Sequence, residues 1–473
     1  MFFKIKDKML FRRYDEFGYI VDNSTFGYRF LNDETPVLNE KYVSLSGAVM
    51  LETLSKEPQD LDTIVEKLQD IFVGVENNEL KDDAYVFFMQ LADDGYLSYG
   101  ETYEECIHSD NQVNIDSNLN NGAIVVENCD DDVFKNKNFI RSIHIEVASA
   151  CNERCVHCYI PHEYKDSYID SQLFYKIIEE GRALNAIHVT LSGGEPLLHK
   201  DILKFLSRCR ELDLAVNILT NLTLLTDEML EEMKRNPLLC VQTSIYSMDP
   251  QVHDFITKNE GSFEKTKNAI LRLVKERIPV QISCPIMKQN KDTFNEVVEW
   301  GHSNNIAVMY DYVIFAAYDN SNVNLVNRLS LDDVEKAMES QMSQDYVDYL
   351  NDTAREKCAL TANDPICSIC RYYFCVSANG DVFPCIGWQG NIVGNLKTSS
   401  IEKIWEHSMG IQELRNIKRD SFPKCLNCEN RGYCTICMMN NFNETGDKFK
   451  ISDFHCKVAA LMHQKVNAFK NSK

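Results

Sequence analysis

From residue 139 onward the chain alternates between two hydrophobic periods. Six apolar, β-rich runs recur: "SIHIEVASA", "AIHVTLSGGEP", "LAVNILTN", "LLCVQTSIYS", "PVQISCPIM" and "AVMYDYVIF". Between them, "SQLFYKIIEEGRAL", "DILKFLSRCREL", "FEKTKNAILRLVKE" and "TFNEVVEWGHSN" place apolar residues at helical spacing. Strand–helix alternation predicts a parallel sheet with helices outside it. A closed eight-unit barrel takes about 250 residues. Residues 139–320 fall short of that by more than one unit, so the pattern predicts an α/β architecture built on a partial, open barrel of six units.

The flanks read differently. In residues 1–100, "KMLFRRYDEFGYIVDNSTFGYRFLN" suggests short strands turning at Gly18 and Gly27. "SLSGAVMLETLS" opens with a serine cap, and "DLDTIVEKLQDIF" and "LKDDAYVFFMQLADDGYLSYG" continue as helices, the last closing into a strand. Together they predict a winged-helix-like α+β module. Residues 101–138 are acidic and Asn-rich, which reads as a linker. Residues 321–356 read as helical connectors. Residues 357–473 show little periodicity, apart from one hairpin, "YYFCVSANGDVFPC", turning at Asn379–Gly380.

Composition narrows the function classes. The 473 residues are 44% hydrophobic and 25% charged, as in ordinary globular protein. No run of about 18 apolar residues appears, and the N-terminus lacks a secretory pattern, so we expect a cytoplasmic protein with no membrane partner. A formal net charge of -22 opposes a nucleic-acid partner. Eighteen cysteines are many for such a chain; none lies in residues 1–100, and ten lie at or after Cys358. In a reducing compartment, clustered thiols ligate metal or do chemistry more often than they form disulfides.

The first cluster is "SACNERCVHCY", with Cys151, Cys155 and Cys158 directly after the first strand. That is the barrel face that carries chemistry. Three thiolates without a near fourth leave one coordination position open to a ligand. A zinc site completed from elsewhere, for example by His157 or His162, fits the spacing too. "SGGEP" ends the second strand. Gly193 and Gly194 free backbone for a ligand, and Glu195 offers a carboxylate. Asn221 ends the third strand and Ser244 lies in the fourth, and each can hydrogen-bond a ribose or a carboxylate.

Cys151-x3-Cys155-x2-Cys158 followed by "SGGEP" in a six-unit barrel resembles the radical S-adenosylmethionine (SAM) superfamily. The resemblance implies a [4Fe–4S] cluster on the three cysteines, with the SAM amino and carboxylate groups on the open iron. It implies Gly193, Gly194 and Glu195 around the methionine moiety, and His157 and Tyr159 near adenine. Reductive cleavage of SAM would give a 5′-deoxyadenosyl radical that abstracts a substrate hydrogen, and the electron would come from an external donor such as a flavodoxin or ferredoxin.

The tail reads Cys367-x2-Cys370-x4-Cys375-x9-Cys385, then Cys425-x2-Cys428-x5-Cys434-x2-Cys437, then Cys456. On spacing alone, a pair of zinc ribbons is as good a reading. With the upstream motif the tail resembles the SPASM extension of peptide-modifying radical SAM enzymes, which implies two auxiliary [4Fe–4S] clusters, three in all. One would use Cys425, Cys428, Cys434 and Cys456. The other would use Cys367, Cys385 and Cys437, with the fourth position open or filled by Cys370. Cys209, Cys240, Cys284 and Cys375 read as packed thiols.

Residues 1–100 resemble the recognition element that binds leader peptides of ribosomally made, post-translationally modified peptides. That implies an extended leader added to a sheet edge; a DNA-binding winged helix is opposed by the module's acidity. The whole resembles a thioether-forming maturase of the sactipeptide or ranthipeptide type, acting on a precursor peptide. Carbon–carbon cross-linking or another radical modification would use the same parts. A zinc-stapled peptide-binding scaffold is the non-catalytic alternative.

Overall fold

The computed structural model describes residues 1–111 and 138–471. In chain order its strands are β1 (Phe2–Ile5), β2 (Met9–Arg13), β3 (Gly18–Asp22), β4 (Lys41–Val43), β5 (Gln59–Asp60), β6 (Leu97–Gly100), β7 (Ser142–Ala148), β8 (His188–Gly193), β9 (Ala215–Leu219), β10 (Leu239–Ser244), β11 (Val280–Pro285), β12 (Ala307–Asp311), β13 (Tyr373–Val376), β14 (Asp381–Phe383) and β15 (Gly394–Asn395). The six expected barrel strands are β7 to β12. They pair in parallel, in sequence order.

The barrel does not close on itself. Its open side at β7 is extended by the tail: β13 pairs in parallel with β7, and β14 and β15 follow antiparallel, giving one nine-stranded sheet. The turn between β13 and β14 falls at Asn379–Gly380, where Gly380 adopts φ +83°. The alternation along β7 shows how the sheet is used. Ile143, Ile145 and Val147 enter the main core, whereas His144 and Glu146 carry buried polar groups on the other face. His144 is bonded to Ser192 of β8, and Glu146 accepts from Gln389 Nε2 at 2.6 Å.

The front module holds two three-stranded sheets, β5-β1-β6 and β2-β3-β4, around helices Leu45–Glu52, Leu61–Gln69 and Asn77–Asp93. Ser44 and Asp60 cap the first two of these helices through their side chains. The module also runs past residue 100. Residues Tyr103–His108 form a helix opened by a Thr102–Glu105 capping box, and its Cys106 is buried, with Sγ against Ser98 O of β6 at 3.6 Å. The expected linker at 101–138 therefore begins with structure, because reciprocal capping and one buried thiol suffice to fix a short acidic helix. The rest of that linker, including Cys129, lies outside the described residues. In the stretch read as a connector, residues Leu331–Gln341 and Gln344–Ala359 form helices, the second running three residues past 356.

The module sits against the N-terminal ends of the barrel strands. Arg12, 1% exposed, donates from Nε to Ala186 O at 2.9 Å and pairs with Asp213 Oδ2 at 3.3 Å, just before β8 and β9 respectively. Arg141, just before β7, donates to Tyr19 OH and to Glu40, both at 2.7 Å. No helix among the described residues is long and apolar enough to cross a membrane.

Candidate functional site

The opposite face, at the C-terminal strand ends, carries a cavity of about 300 Å³. Cys151, Cys155, Cys158, His157, Tyr159, Gly193, Gly194, Asn221 and Ser244 line it, so residues chosen from separate stretches of sequence meet at one place. A register shift at the end of β7 re-aims the chain into the cysteine loop. The loop is then held from both sides. Arg154 N donates to Thr257 O and Val156 N to Ile256 O, both at 2.9 Å. From the segment after β12, Asn324 Nδ2 donates to His157 O at 3.0 Å and Asn327 Nδ2 to Val156 O at 2.7 Å.

The two glycines have a sharper role than was expected. A Cβ on Gly193, at φ +120°, would lie 1.9 Å from Ala148 O, and one on Gly194 would lie 2.3 Å from Ser149 O. What crowds them is the protein's own backbone leading into Cys151. Glu195 likewise faces inward rather than into the cavity. It is fully buried, and its carboxylate accepts from Thr220 Oγ1 at 2.6 Å, Leu197 N at 2.8 Å and Asn221 N at 2.8 Å. Burial pushes its pKa up to about 7 against those hydrogen bonds. Asn221 extends the tie: its Nδ2 donates to Asn152 Oδ1 at 2.9 Å, beside Cys151.

His157 and Tyr159 part company. His157 packs edge-on against Tyr246 with ring centroids 5.0 Å apart, and Tyr246 in turn meets His253 at 5.4 Å. Burial, assisted by Lys165, lowers the His157 pKa to about 4, so it is a neutral ring at physiological pH. Tyr159 instead lies toward the auxiliary domain, near Glu146, Cys375 and Cys385 as well as Cys158.

The thiols themselves are poor places for protons to leave. Burial raises the Cys151 pKa to about 11 and that of Cys155 well above the thiol range. Buried thiolates need a cation, and metal ligation supplies one. Lys165 and Glu153, both buried, border the site. Glu153 Oε2 accepts from Cys155 Sγ at 3.4 Å, and its Oε1 has no hydrogen-bond partner. Sequence reasoning missed Lys165, Glu153, Asn324 and Asn327. The lysine, seven residues past Cys158, had proximity as its one signal; the two asparagines had none.

In the tail the cysteines sort into two sets. Cys425, Cys428, Cys434 and Cys456 line a cavity of about 100 Å³, with Cys456 brought back by the helix Asp453–Asn471. Cys437 lines its edge but also lies near Cys367 and Cys385, each close enough for charge on one thiol to act on the next. Tyr373 OH donates to Cys385 Sγ at 3.5 Å. Cys370 is buried beside Cys367 and Cys385 in a left-handed conformation, φ +54°, with its carbonyl held by Arg415 Nε at 2.6 Å. Cys375 is buried on β13, and Cys209, Cys240 and Cys284 are buried too. Among the described residues, no three His, Cys, Asp or Glu side chains converge on one point that could hold a single ion. An iron–sulfur cluster asks for something else, because each thiolate takes its own iron corner.

Two stretches of the chain match known family models. Residues 145–301 match the radical SAM superfamily model, and residues 367–429 match the SPASM iron–sulfur cluster-binding domain. The chain has the radical SAM fold, with a C-terminal SPASM domain and an N-terminal α+β region. Streptococcus suis SuiB, in a crystal structure bound to its precursor peptide SuiA, superposes with a TM-score of 0.60 at 15% identity, covering 96% of this chain and 99% of that one. anSMEcpe with bound AdoMet superposes at 0.55 and 18% identity, covering 70% of this chain and 100% of the other. Among curated proteins, the AdoMet-dependent heme synthase of Methanosarcina barkeri is 24% identical over 328 residues, 65% of this chain and 93% of that protein.

Proposed function

We propose that the protein is a radical SAM enzyme that installs intramolecular thioether links, cysteine sulfur to carbon, in a ribosomally synthesised precursor peptide. The observation that carries this reading is the meeting of Cys151, Cys155 and Cys158 with the Gly193–Gly194 turn at one cavity, backed by two interleaved thiol sets in the tail. Cys151, Cys155 and Cys158 would hold a [4Fe–4S] cluster, and Gly193, Gly194, Asn221 and Ser244 would border SAM, with Glu195 fixing that wall from behind. When bound, cluster and SAM supply a carbon-centred radical able to take a hydrogen atom from substrate.

The chain's own residues supply position and dryness. The neutral His157–Tyr246–His253 wall offers ring faces for a flat base without a competing charge. Asn324 and Asn327 hold the cysteine loop rigid, which keeps reacting atoms at the separation that proximity catalysis requires. Cys367, Cys385 and Cys437 would hold one auxiliary cluster, its fourth position open or filled by Cys370, and Cys425, Cys428, Cys434 and Cys456 the other; these would accept the electron left over when sulfur captures a carbon radical. The front module would dock the leader at a sheet edge. A low-potential flavodoxin or ferredoxin would deliver the starting electron. The peptide substrate is supported by the fold shared over nearly the whole chain with SuiB, whose structure holds a precursor peptide.

The test is anaerobic incubation of enzyme, SAM, reductant and the candidate precursor, followed by mass spectrometry. A loss of two hydrogens per link, with one cysteine blocked to alkylation for each, supports the proposal. A two-hydrogen loss with every cysteine still alkylated means carbon–carbon linkage. Zinc in place of iron leaves only a peptide-binding scaffold.

A further inference from the structure

The segment that follows the cysteine loop folds back along the chain that enters it. Ile169 N donates to Val147 O at 2.9 Å, Ala148 and Tyr168 form an antiparallel bridge, and Ser149 N donates to Ser167 O at 2.8 Å. Ser149 Oγ then accepts from Asp166 N at 3.2 Å and from Ser167 N at 3.0 Å. On the other side of the same stretch, Gly194 N donates to Ala148 O at 2.6 Å and Glu195 N to Ala150 O at 2.9 Å. Residues 148–150 are therefore the middle of three paired lengths of chain. A single turn at His162–Tyr164, closed by Lys165 N on His162 O at 3.3 Å, delivers the returning segment. This register sets Lys165 and Gly194 on opposite flanks of the backbone that enters Cys151.

Lys165 is 7% exposed, and it lines the cavity together with Cys151, Cys155 and Cys158. Among the described residues it is the one lysine or arginine that does so. Its ammonium has no hydrogen bond and no ion pair with any described residue. Glu153, the one carboxylate on the lining, turns its Oε2 to Cys155 Sγ instead. A buried ammonium without a partner is costly, and that cost falls when an anion enters the cavity. SAM carries two positive groups, the sulfonium and the ammonium, which a lysine repels. It carries one negative group, the carboxylate, which a lysine attracts.

We propose that Lys165 is a binding residue for the carboxylate of SAM. Pairing there draws the carboxylate to the Lys165 flank of residues 148–150 and leaves the Gly194 flank to the rest of the methionine moiety. The charge thereby selects one orientation of a small zwitterion that could otherwise enter either way round. Because backbone pairing on both sides fixes the flanks, the cation is in place before the ligand arrives. This inference rests on the reading that Cys151, Cys155 and Cys158 hold a cluster that SAM joins.

The experiment uses the full-length chain, reconstituted with iron and sulfide under anaerobic conditions. Equilibrium dialysis gives the dissociation constants of SAM and of decarboxylated SAM, which keeps the sulfonium and the amine. Unaltered protein that holds no iron at Cys151, Cys155 and Cys158, or binds no SAM, overturns the underlying reading before Lys165 is tested at all. With SAM bound, Lys165→Met is expected to weaken SAM by about 30-fold or more, the loss typical of removing one partner of a buried charge pair, and to leave decarboxylated SAM within about twofold. If both ligands weaken alike, Lys165 only shapes the cavity and the proposal is wrong. If neither weakens, its charge serves the thiols alone and the proposal is wrong again. If Lys165→Met fails to hold iron, Lys165→Gln is measured instead; loss of iron in that variant as well makes Lys165 a structural residue and overturns the proposal.

Discussion

Replacing Gly193 with alanine tests how the radical site is built. The added Cβ would lie 1.9 Å from Ala148 O, about 1.5 Å inside ordinary van der Waals contact, and the obstacle is backbone that cannot swing aside. Overpacking of this kind costs about 1–3 kcal/mol. Holding a non-glycine residue at φ +120° costs about 1–3 kcal/mol more. Together they come to about 4 kcal/mol, a large share of the 5–15 kcal/mol that stabilises a typical domain. The chain can relieve the clash by moving Ala148–Ala150, which displaces Cys151. On the proposed function, the expected outcome is a protein that keeps iron at the tail cysteines, loses the iron held by Cys151, Cys155 and Cys158, and no longer cleaves SAM. Iron quantification, deoxyadenosine assay and thermal melting check it. A Gly193→Ala protein with full iron, unchanged melting and normal cleavage would refute the reasoning, and with it the claim that the glycine pair serves the cysteine loop.

Three other outcomes follow from the geometry. Cys434→Ala and Cys437→Ala, three residues apart, should abolish different EPR signals, because Cys437 turns toward Cys367 and Cys385 whereas Cys434 faces Cys425, Cys428 and Cys456; loss of one and the same signal in both variants would contradict the interleaving. Arg12→Ala removes a buried guanidinium and its bonds to the barrel, and should cost about 3 kcal/mol and open the module–barrel seam to limited proteolysis, while SAM cleavage persists. Burial raises the Glu146 pKa from 4.5 to about 7, opposed by the hydrogen bond from Gln389, so the folded state holds its proton more tightly than the unfolded. That stabilisation, about 3 kcal/mol, is complete below pH 4.5 and is lost as pH rises toward 7. Glu146→Gln should flatten the melting curve's dependence on pH across that window, and an unchanged slope would remove the buried-acid account.

The barrel was legible because its strands are short, β-rich, largely apolar runs set between helical periods, with β7 buried along nearly its whole length and β11 alternating. All six formed where the runs lay. The helices Asp227–Lys234 and Pro250–Thr257 were less visible: "DEMLEEMK" is mostly charge, and "PQVHDFIT" has too few apolar positions to fix a period. Tyr103–His108 was hidden by acidity for the same reason. The cysteines announced the sites through spacing. Their supports did not, because Asn324 and Asn327 reach His157 and Val156 across about 170 residues of intervening chain, and no local pattern encodes such a contact. Glu195 shows the remaining gap. Its position was readable, but whether its carboxylate meets a ligand or Thr220, Leu197 and Asn221 depends on the tertiary neighbourhood.

The two ends of the barrel divide the labour. Arg12 and Arg141 anchor the front module beneath the N-terminal strand ends, whereas the cysteine loop opens at the C-terminal ends. A six-residue strand such as β8 spans roughly 20 Å at about 3.3 Å per residue. On the proposed function, a leader held at the module leaves its core peptide at least that far from the cavity, so about six extended residues must bridge the gap before any side chain reaches it. A tether of that length raises local concentration without fixing which residue arrives. Choice of the reacting carbon therefore falls to the cavity itself, which Tyr159 lines, and not to the docking module.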